Sequence, residues 1–331
     1  MLKEKTHKIV YIFDESFHSQ FCTVTNSILK NERPELADSI EFYITYFGRP
    51  EGIVNFLKEI KLKFPKNKFY LKHVPSEFPD LWKKYENFYD YEKCANHIPT
   101  SSVLCRFDLD IIWPSINGKI LYLDLDLIVK GSISELFSQL NSNDIISACS
   151  SEQILASEIR NISVEKGKTK DFYLSDFRRN VEYIYYRYIP KTPYNENLAN
   201  EILEKEYNFC TMAFNAGVFA LDLKKLKENK KLKEHINFLM QLNKNGFLFR
   251  HNDQSILNIA FYDQVNFIDP RWNALDYGWE NKKRIYESKL RFLEGKIIHY
   301  NGPQKPWLFN HLNFIPNYFL ETTKLWRKYE T

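Results

Sequence analysis

Two acid pairs in this chain have the spacing of a divalent-cation site, Asp108-Leu109-Asp110 and Asp124-Leu125-Asp126. The second sits in "KILYLDLDLIV", residues 119–129, a run otherwise almost entirely aliphatic and aromatic. Ionised carboxylates in apolar surroundings are costly unless something neutralises them, and a metal ion is one such partner. Local geometry separates the pairs. The first lies in "TSSVLCRFDLDIIW", which reads as a helix opened by a serine or threonine cap. Residues two apart on a helix point about 200° from each other, which keeps them off a shared ligand. The second pair lies in what reads as one strand, where residues two apart face the same side. Asp124 and Asp126 then aim both carboxylates one way, a hard-oxygen set suited to Mg2+ or Mn2+. The plainer alternative is a strand end turning into solvent.

A second stretch with chemical content is "IIHYNGPQKPW", residues 297–307. An apolar run ends at His299, Gly302 permits a tight turn and close approach to a ligand, and Lys305 brings a point charge suited to phosphate. The three-residue steps look like a loop around a pyrophosphate. A histidine satisfied within the core is the plainer reading of His299.

These residues need a scaffold. "HKIVYIF" reads as a buried strand ending at Asp14, and Phe17, Phe21, Val24 and Ile28 follow at helical intervals. "SIEFYITYFG", "EGIVNFLKEIKLKF" and "KFYLKHV" continue the pattern as strand, helix and strand. This alternation predicts an α/β fold with a sheet at least partly parallel, binding ligands at the carboxyl ends of its strands, where Asp14 and Asp124 lie. "NDIISACS" and "MAFNAGVFALDL" read as further strands, "KKLKENKKLKEHINFLMQLNKNG" as one charged helix stopped by Gly246, and "NDQSILNIAFY" as a helix.

Residues 151–209 are polar with interspersed tyrosines, as in "RRNVEYIYYRYIPK", and read as an insertion, either ordinary packing or an acceptor-side lid. One domain over 1–311 is expected, followed by a basic aromatic helix within 312–331. Its Tyr318, Leu325, Trp326 and Tyr329 share a stripe flanked by Lys324, Arg327 and Lys328. Such a helix fits an anionic membrane interface or packing on the domain equally well.

Composition narrows the function classes. With 331 residues and 44% hydrophobic content the chain can bury a sizeable core. Its 46 basic residues against 42 acids give a net charge of only +4, spread along the chain, which argues against a nucleic-acid partner. The five cysteines are odd in number and show no CxxC spacing, which fits a reducing cytoplasm. No uninterrupted apolar run reaches the roughly 18 residues of a membrane span.

Four segments, "YLDLDLIV", "FNAGVFALDLKKLK", "NDQSILN" and "HYNGPQKPW", occur in an order and rough spacing that resemble the family 8 retaining glycosyltransferases. That family includes bacterial lipopolysaccharide galactosyl- and glucosyltransferases and glycogenin. The resemblance spans nearly the whole chain apart from 151–209 and the tail, and His-x-x-Gly-x-x-Lys-Pro-Trp matches at every fixed position. It implies a GT-A type, Rossmann-like nucleotide-sugar-binding fold with a mixed, mostly parallel sheet flanked by helices. It further implies that Asp124, Asp126 and His299 hold Mn2+, or Mg2+, together with the donor's phosphates. Lys305 and the backbone near Gly302 would touch the diphosphate, Asp14 the uracil or ribose, and Arg106 the donor sugar or its phosphate. Asn215, Asp253 and Gln254 would line the sugar pocket. Two positions depart from the pattern: Ser16-Phe17 stands where members often show Asn-Tyr beside the nucleoside, and Ser255 where a second aspartate is frequent.

The implied activity is transfer of galactose or glucose from a UDP-hexose to a hydroxyl of a lipopolysaccharide, capsule or other surface glycan or glycolipid. The implied setting is cytoplasmic, with peripheral contact on the inner membrane. Retention needs a covalent intermediate or same-face attack; the candidates near the reacting carbon would be the Gln254 amide, a poor nucleophile, and the Asp253 carboxylate, and same-face substitution is the expected course. The rival readings are a UDP-sugar pyrophosphohydrolase using the same metal and a non-catalytic carbohydrate-binding protein.

Overall fold

The computed structural model describes residues 6–86, 101–150, 214–244, 253–261, 264–275, 294–302, 305–309 and 317–331. The expected insertion at 151–209 and the Gly246 helix stop lie outside them. Among the described residues ten strands are formed: β1 (His7–Phe13), β2 (Ile40–Tyr46), β3 (Lys68–His73), β4 (Lys119–Leu123), β5 (Leu127–Val129), β6 (Ile146–Ser150), β7 (Phe214–Asp222), β8 (Val265–Ile268), β9 (Ala274–Leu275) and β10 (Ile297–His299). Seven of them make one sheet in the order β3-β2-β1-β4-β7-β6-β8. β1 runs parallel to β2 and β4, β2 to β3, and β6 to β8, whereas β7 is antiparallel to β4 and β6. The sheet is therefore mixed and mostly parallel, as expected.

Both faces of the sheet are covered, which is why β1 and β2 read as nearly continuous apolar runs. Alternation divides β1 between two cores: Val10 and Ile12 pack with Tyr122, Phe219 and Leu257, whereas Ile9, Tyr11 and Phe13 pack with Leu121, Trp272 and Trp326. The His18–Asn31 helix joins β1 to β2 and buries Phe21, Val24 and Ile28. The Pro50–Lys63 helix returns to β3 and buries Phe56 and Ile60.

The chain departs from the expected elements at three places. Residues 119–129 form two strands, because β4 pairs in the large sheet while β5 leaves it to pair with β10 in a second sheet of order β5-β10-β9. The acid pair sits at the changeover: Asp124 N–H donates to Gly217 O at 2.8 Å, and Asp126 O accepts from Tyr300 N–H at 2.8 Å. Second, the stretch before β4 is a 3-10 helix, Ser101–Asp108, followed by one α turn, Leu109–Ile112. Third, the charged helix divides into Leu223–Glu228 and Lys230–Lys244 around Asn229, whose Oδ1 accepts from Leu232 N–H at 3.1 Å and caps the second part.

The C-terminal helix, Asn317–Arg327, packs its last turn on the domain, and the Tyr318 side chain of the expected stripe lies outside the described residues. Trp326 and Tyr329 are buried, Asn26 Nδ2 donates to Tyr329 O at 2.8 Å, and Asn31 Nδ2 donates to the Tyr329 hydroxyl at 2.8 Å. Packing thus takes up two of the residues that a membrane interface would have needed. Among the described residues no helix is long and apolar enough to cross a membrane.

Candidate metal and donor site

β10 carries His299 to the acid pair. It runs antiparallel to β5 with His299 opposite Leu127, so the imidazole arrives one residue from Asp126. Ligand atoms of Asp124, Asp126 and His299 all lie within 4.8 Å of one another. This convergence comes from the junction of two sheets rather than from alternation along one strand, which corrects the geometric reason expected above.

Three observations show that the residues fit a divalent cation. The donor set is hard carboxylate oxygen plus imidazole nitrogen. Asp126 Oδ1 lies 3.0 Å from His299 Nε2, yet no hydrogen bond reaches this buried oxygen among the described residues. Third, a Cβ placed on Gly217 would fall 2.3 Å from His299 Cε1 and 2.6 Å from Asp124 Oδ2, so only glycine leaves both side chains their places.

Lys305 donates from Nζ to Asp126 Oδ2 at 2.7 Å and also to the Tyr300 carbonyl. Burial raises the Asp126 carboxyl, but the His299 imidazole and Lys305 ammonium outweigh it and hold the group well below the usual carboxylate range. Gly302 is buried in the same loop, between His299 and Lys305.

Arg106 ties the acids to the next group of residues. Its guanidinium is 2.6 Å from Asp253 Oδ2 and 3.4 Å from Asp124 Oδ1, and it donates to Ala216 O at 3.1 Å and to the Tyr122 hydroxyl at 2.8 Å. Burial holds the Tyr122 hydroxyl protonated, and it donates to Asp124 Oδ1 at 2.7 Å. Burial also raises the Asp253 carboxyl, which Arg106 only partly offsets. Gln254 Oε1 accepts from Asn215 Nδ2 at 3.1 Å and from Ala216 N–H at 3.2 Å.

Contacts therefore link Asp124, Asp126, His299, Lys305, Arg106, Asp253, Asn215 and Gln254. Asp14 and Ser16 lie at the end of β1, beside β4, and bind each other: Asp14 Oδ1 accepts from Ser16 N–H at 2.9 Å and from its hydroxyl at 2.5 Å. Tyr122, Gly217, Asn273 and Asn301 belong to the cluster but were not among the expected site residues. Gly217 alone had a usable signal, a glycine within "FNAG".

The rival acid pair is a structural ion cluster. Lys233 Nζ reaches Asp108 Oδ1 at 3.2 Å and Asp110 Oδ1 at 2.7 Å, while Lys84 Nζ holds Asp108 Oδ2 at 2.9 Å. The two aspartates do share one cation, contrary to the helical-spacing argument. Asp108, at φ −122° and ψ 24°, interrupts helical geometry between them.

The profile of Glycosyl transferase family 8 matches residues 8–311. Human glycosyltransferase 8 domain-containing protein 1 is 30% identical over 207 residues, which is 61% of this chain and 49% of that protein. Probable galacturonosyltransferase 9 of Arabidopsis thaliana is 22% identical over 241 residues, 72% of this chain and 33% of that protein. The chain thus spans about half, or less, of these relatives' length. Among solved structures, an active-site mutant of LgtC superposes with a TM-score of 0.61 at 16% identity, covering 97% of this chain and 95% of that one. The glycosyltransferase GlyE of Streptococcus pneumoniae gives 0.56 at 18% identity, covering 99% of this chain and 60% of that one.

Proposed function

The chain belongs to glycosyl transferase family 8 and has the GT-A fold, and from that premise we propose a metal-dependent retaining hexosyltransferase. It moves galactose or glucose from a UDP-sugar to a hydroxyl of a surface glycan or glycolipid. The observation that carries this reading is the convergence of Asp124, Asp126 and His299 within 4.8 Å. A divalent cation held there, Mn2+ or Mg2+, supplies a Lewis acid for the diphosphate leaving group. Lys305, 2.7 Å from Asp126, adds a fixed positive charge where negative charge develops as the sugar leaves. Asp14 and Ser16 take the nucleoside, the backbone at Gly302 the diphosphate, and Asn215 with Gln254 the sugar.

Retention requires a covalent intermediate or attack from the face of the departing UDP. Gln254 is an amide and a poor nucleophile, and the Asp253 carboxylate is held by Arg106 at 2.6 Å. This supports same-face substitution, with a leaving diphosphate oxygen accepting the acceptor hydroxyl's proton. The solved galactosyltransferase LgtC holds donor and acceptor sugar analogues together; the same pairing of substrates is proposed here.

A UDP-sugar screen with and without Mn2+ and acceptor glycans tests the proposal. Release of UDP that needs both is expected. Equal release without acceptor assigns pyrophosphate hydrolysis instead. UDP binding unchanged by Asp124→Asn and by chelation assigns a binding protein. Peripheral membrane contact rests on the exposed Lys324 and Lys328, since Trp326 and Tyr329 pack inward and Arg327 donates to the Phe309 carbonyl. Equal liposome pelleting with and without residues 312–331 would remove it.

A further inference from the structure

We infer that Asn273 is a positioning residue whose amide fixes the tautomer of His299 and ties it to the sugar pocket; the inference rests on the donor-site reading above. Asn273 is 7% exposed and ends the 3-10 turn Pro270–Asn273, immediately before β9. β9 runs parallel to β10, and this pairing brings the amide beside His299. Asn273 Oδ1 lies 3.0 Å from His299 Nδ1, and Asn273 Nδ2 lies 3.3 Å from Asn215 Oδ1.

The direction of every bond in this chain follows from two backbone amides, which can only donate. Gly217 N–H donates to the Asn215 side chain at 2.9 Å, so the atom facing it is Oδ1. That oxygen must then receive Asn273 through Nδ2, which turns Asn273 Oδ1 toward the imidazole. His299 must therefore donate from Nδ1. Ala216 N–H fixes Gln254 Oε1 in the same way, and Asn215 Nδ2 donates to it at 3.1 Å and to Asn301 Oδ1 at 3.2 Å.

The consequence falls on the opposite side of the ring. With Nδ1 committed to Asn273, Nε2 is the ring nitrogen turned to Asp126 Oδ1, 3.0 Å away. Either a proton on Nε2 or a metal ion satisfies that pair, and a metal ion can take the Nε2 lone pair only while the ring keeps its proton on Nδ1, where Asn273 Oδ1 accepts it. A partner on the distal ring nitrogen fixes both tautomer and ring plane of a metal-ligating histidine. Here that partner is an amide whose other end reaches Asn215, so imidazole orientation and sugar-pocket geometry are mechanically joined.

Asn273→Ala and Asn273→Asp separate the two roles. The alanine variant loses both bonds, and its Mn2+ affinity without donor, read by electron paramagnetic resonance, should fall about 10- to 100-fold. The aspartate variant can still accept from Nδ1 but cannot donate to Asn215. Its Mn2+ affinity should avoid the alanine variant's loss, whereas UDP-sugar affinity at saturating Mn2+ falls. Alanine binding Mn2+ as wild type does, or aspartate losing Mn2+ as alanine does, overturns the inference. A variant-free measurement guards against misfolding: two-bond proton–nitrogen correlation spectra of the Mg2+-loaded wild type should show His299 protonated at Nδ1, and protonation at Nε2 overturns the assignment. If wild type binds neither ion, the donor-site reading falls as well; if it binds and alanine binds equally, this inference falls alone.

Discussion

At Gly217 the backbone passes against two candidate ligands, and a Cβ there would lie 2.3 Å from His299 Cε1 and 2.6 Å from Asp124 Oδ2. Neither side chain has room to withdraw without losing its own bonds, to Asn273 and to Tyr122. Gly217→Ala should therefore lower Mn2+ affinity by about tenfold or more with far-UV circular dichroism unchanged, comparable to losing a supporting residue. Calorimetric titration with Mn2+ checks this, and wild-type affinity would place the ligands elsewhere. The acid pair was legible because its residue types and spacing carry their chemistry, and His299 entered as a third ligand through the family resemblance. Asn273 and Tyr122 were not legible. Asn273 lies in "DPRWNALDY", where nothing local marks it, and Tyr122 looked like one more core aromatic. Their roles exist only through space, in what a strand from elsewhere brings against them.

At the scale of elements, the ion cluster around Asp108 joins the Pro79–Glu86 helix, the Ser101–Asp108 turn that carries Arg106, and the Lys230–Lys244 helix. Burial opposes the Asp108 charge, yet Lys84 and Lys233 prevail and lower its carboxyl below the ordinary 3.8. The folded protein thus releases this proton more readily than the unfolded chain. Its contribution is present above the unfolded value and is lost as pH falls through it toward the folded one. Between about pH 5 and 3 the Tm of wild type should drop more steeply than that of Asp108→Asn. Parallel curves would show that the cluster does not carry the acid sensitivity. The C-terminal helix offers a second test. Trp326 is 1% exposed, its ring lies 5.7 Å from Tyr300 and 4.8 Å from Trp307, and Thr322 O accepts from the Tyr300 hydroxyl at 2.8 Å. Trp326→Ala should cost about 3–5 kcal/mol in denaturant unfolding and weaken donor binding, because Tyr300 and Trp307 flank the Lys305 loop. Unchanged stability would mean that the helix is not docked. Apolar periodicity located β1, β2, β3, β6, β7 and the helices after β1 and β2, but it could not show where 119–129 changes sheets. A buried strand looks the same whichever neighbour it pairs with.

Over the whole molecule, the site is assembled where the seven-stranded and three-stranded sheets meet, from segments as far apart as Arg106, Asp124, Asn215, Gln254 and His299. The order of those segments was legible in the sequence, whereas their distances exist only once both sheets have formed. A cation bound by Asp124, Asp126 and His299 joins β5 and β10, so it favours the folded chain and has no comparable site in the unfolded one. At about 100 times Kd, such a ligand adds about 2.7 kcal/mol. For a chain of 331 residues this corresponds to a rise in Tm of about 4 °C, from an unfolding entropy of about 2.1 cal/mol/K per residue. Differential scanning calorimetry with Mn2+ and UDP should show that rise for wild type and none for Asp126→Asn. The Asp126 variant serves as a control against nonspecific stabilisation, because it keeps the same net fold while losing one ligand and the partner of Lys305. An equal rise in both proteins would place the nucleotide outside the sheet junction and remove the electrostatic basis of the proposed transfer.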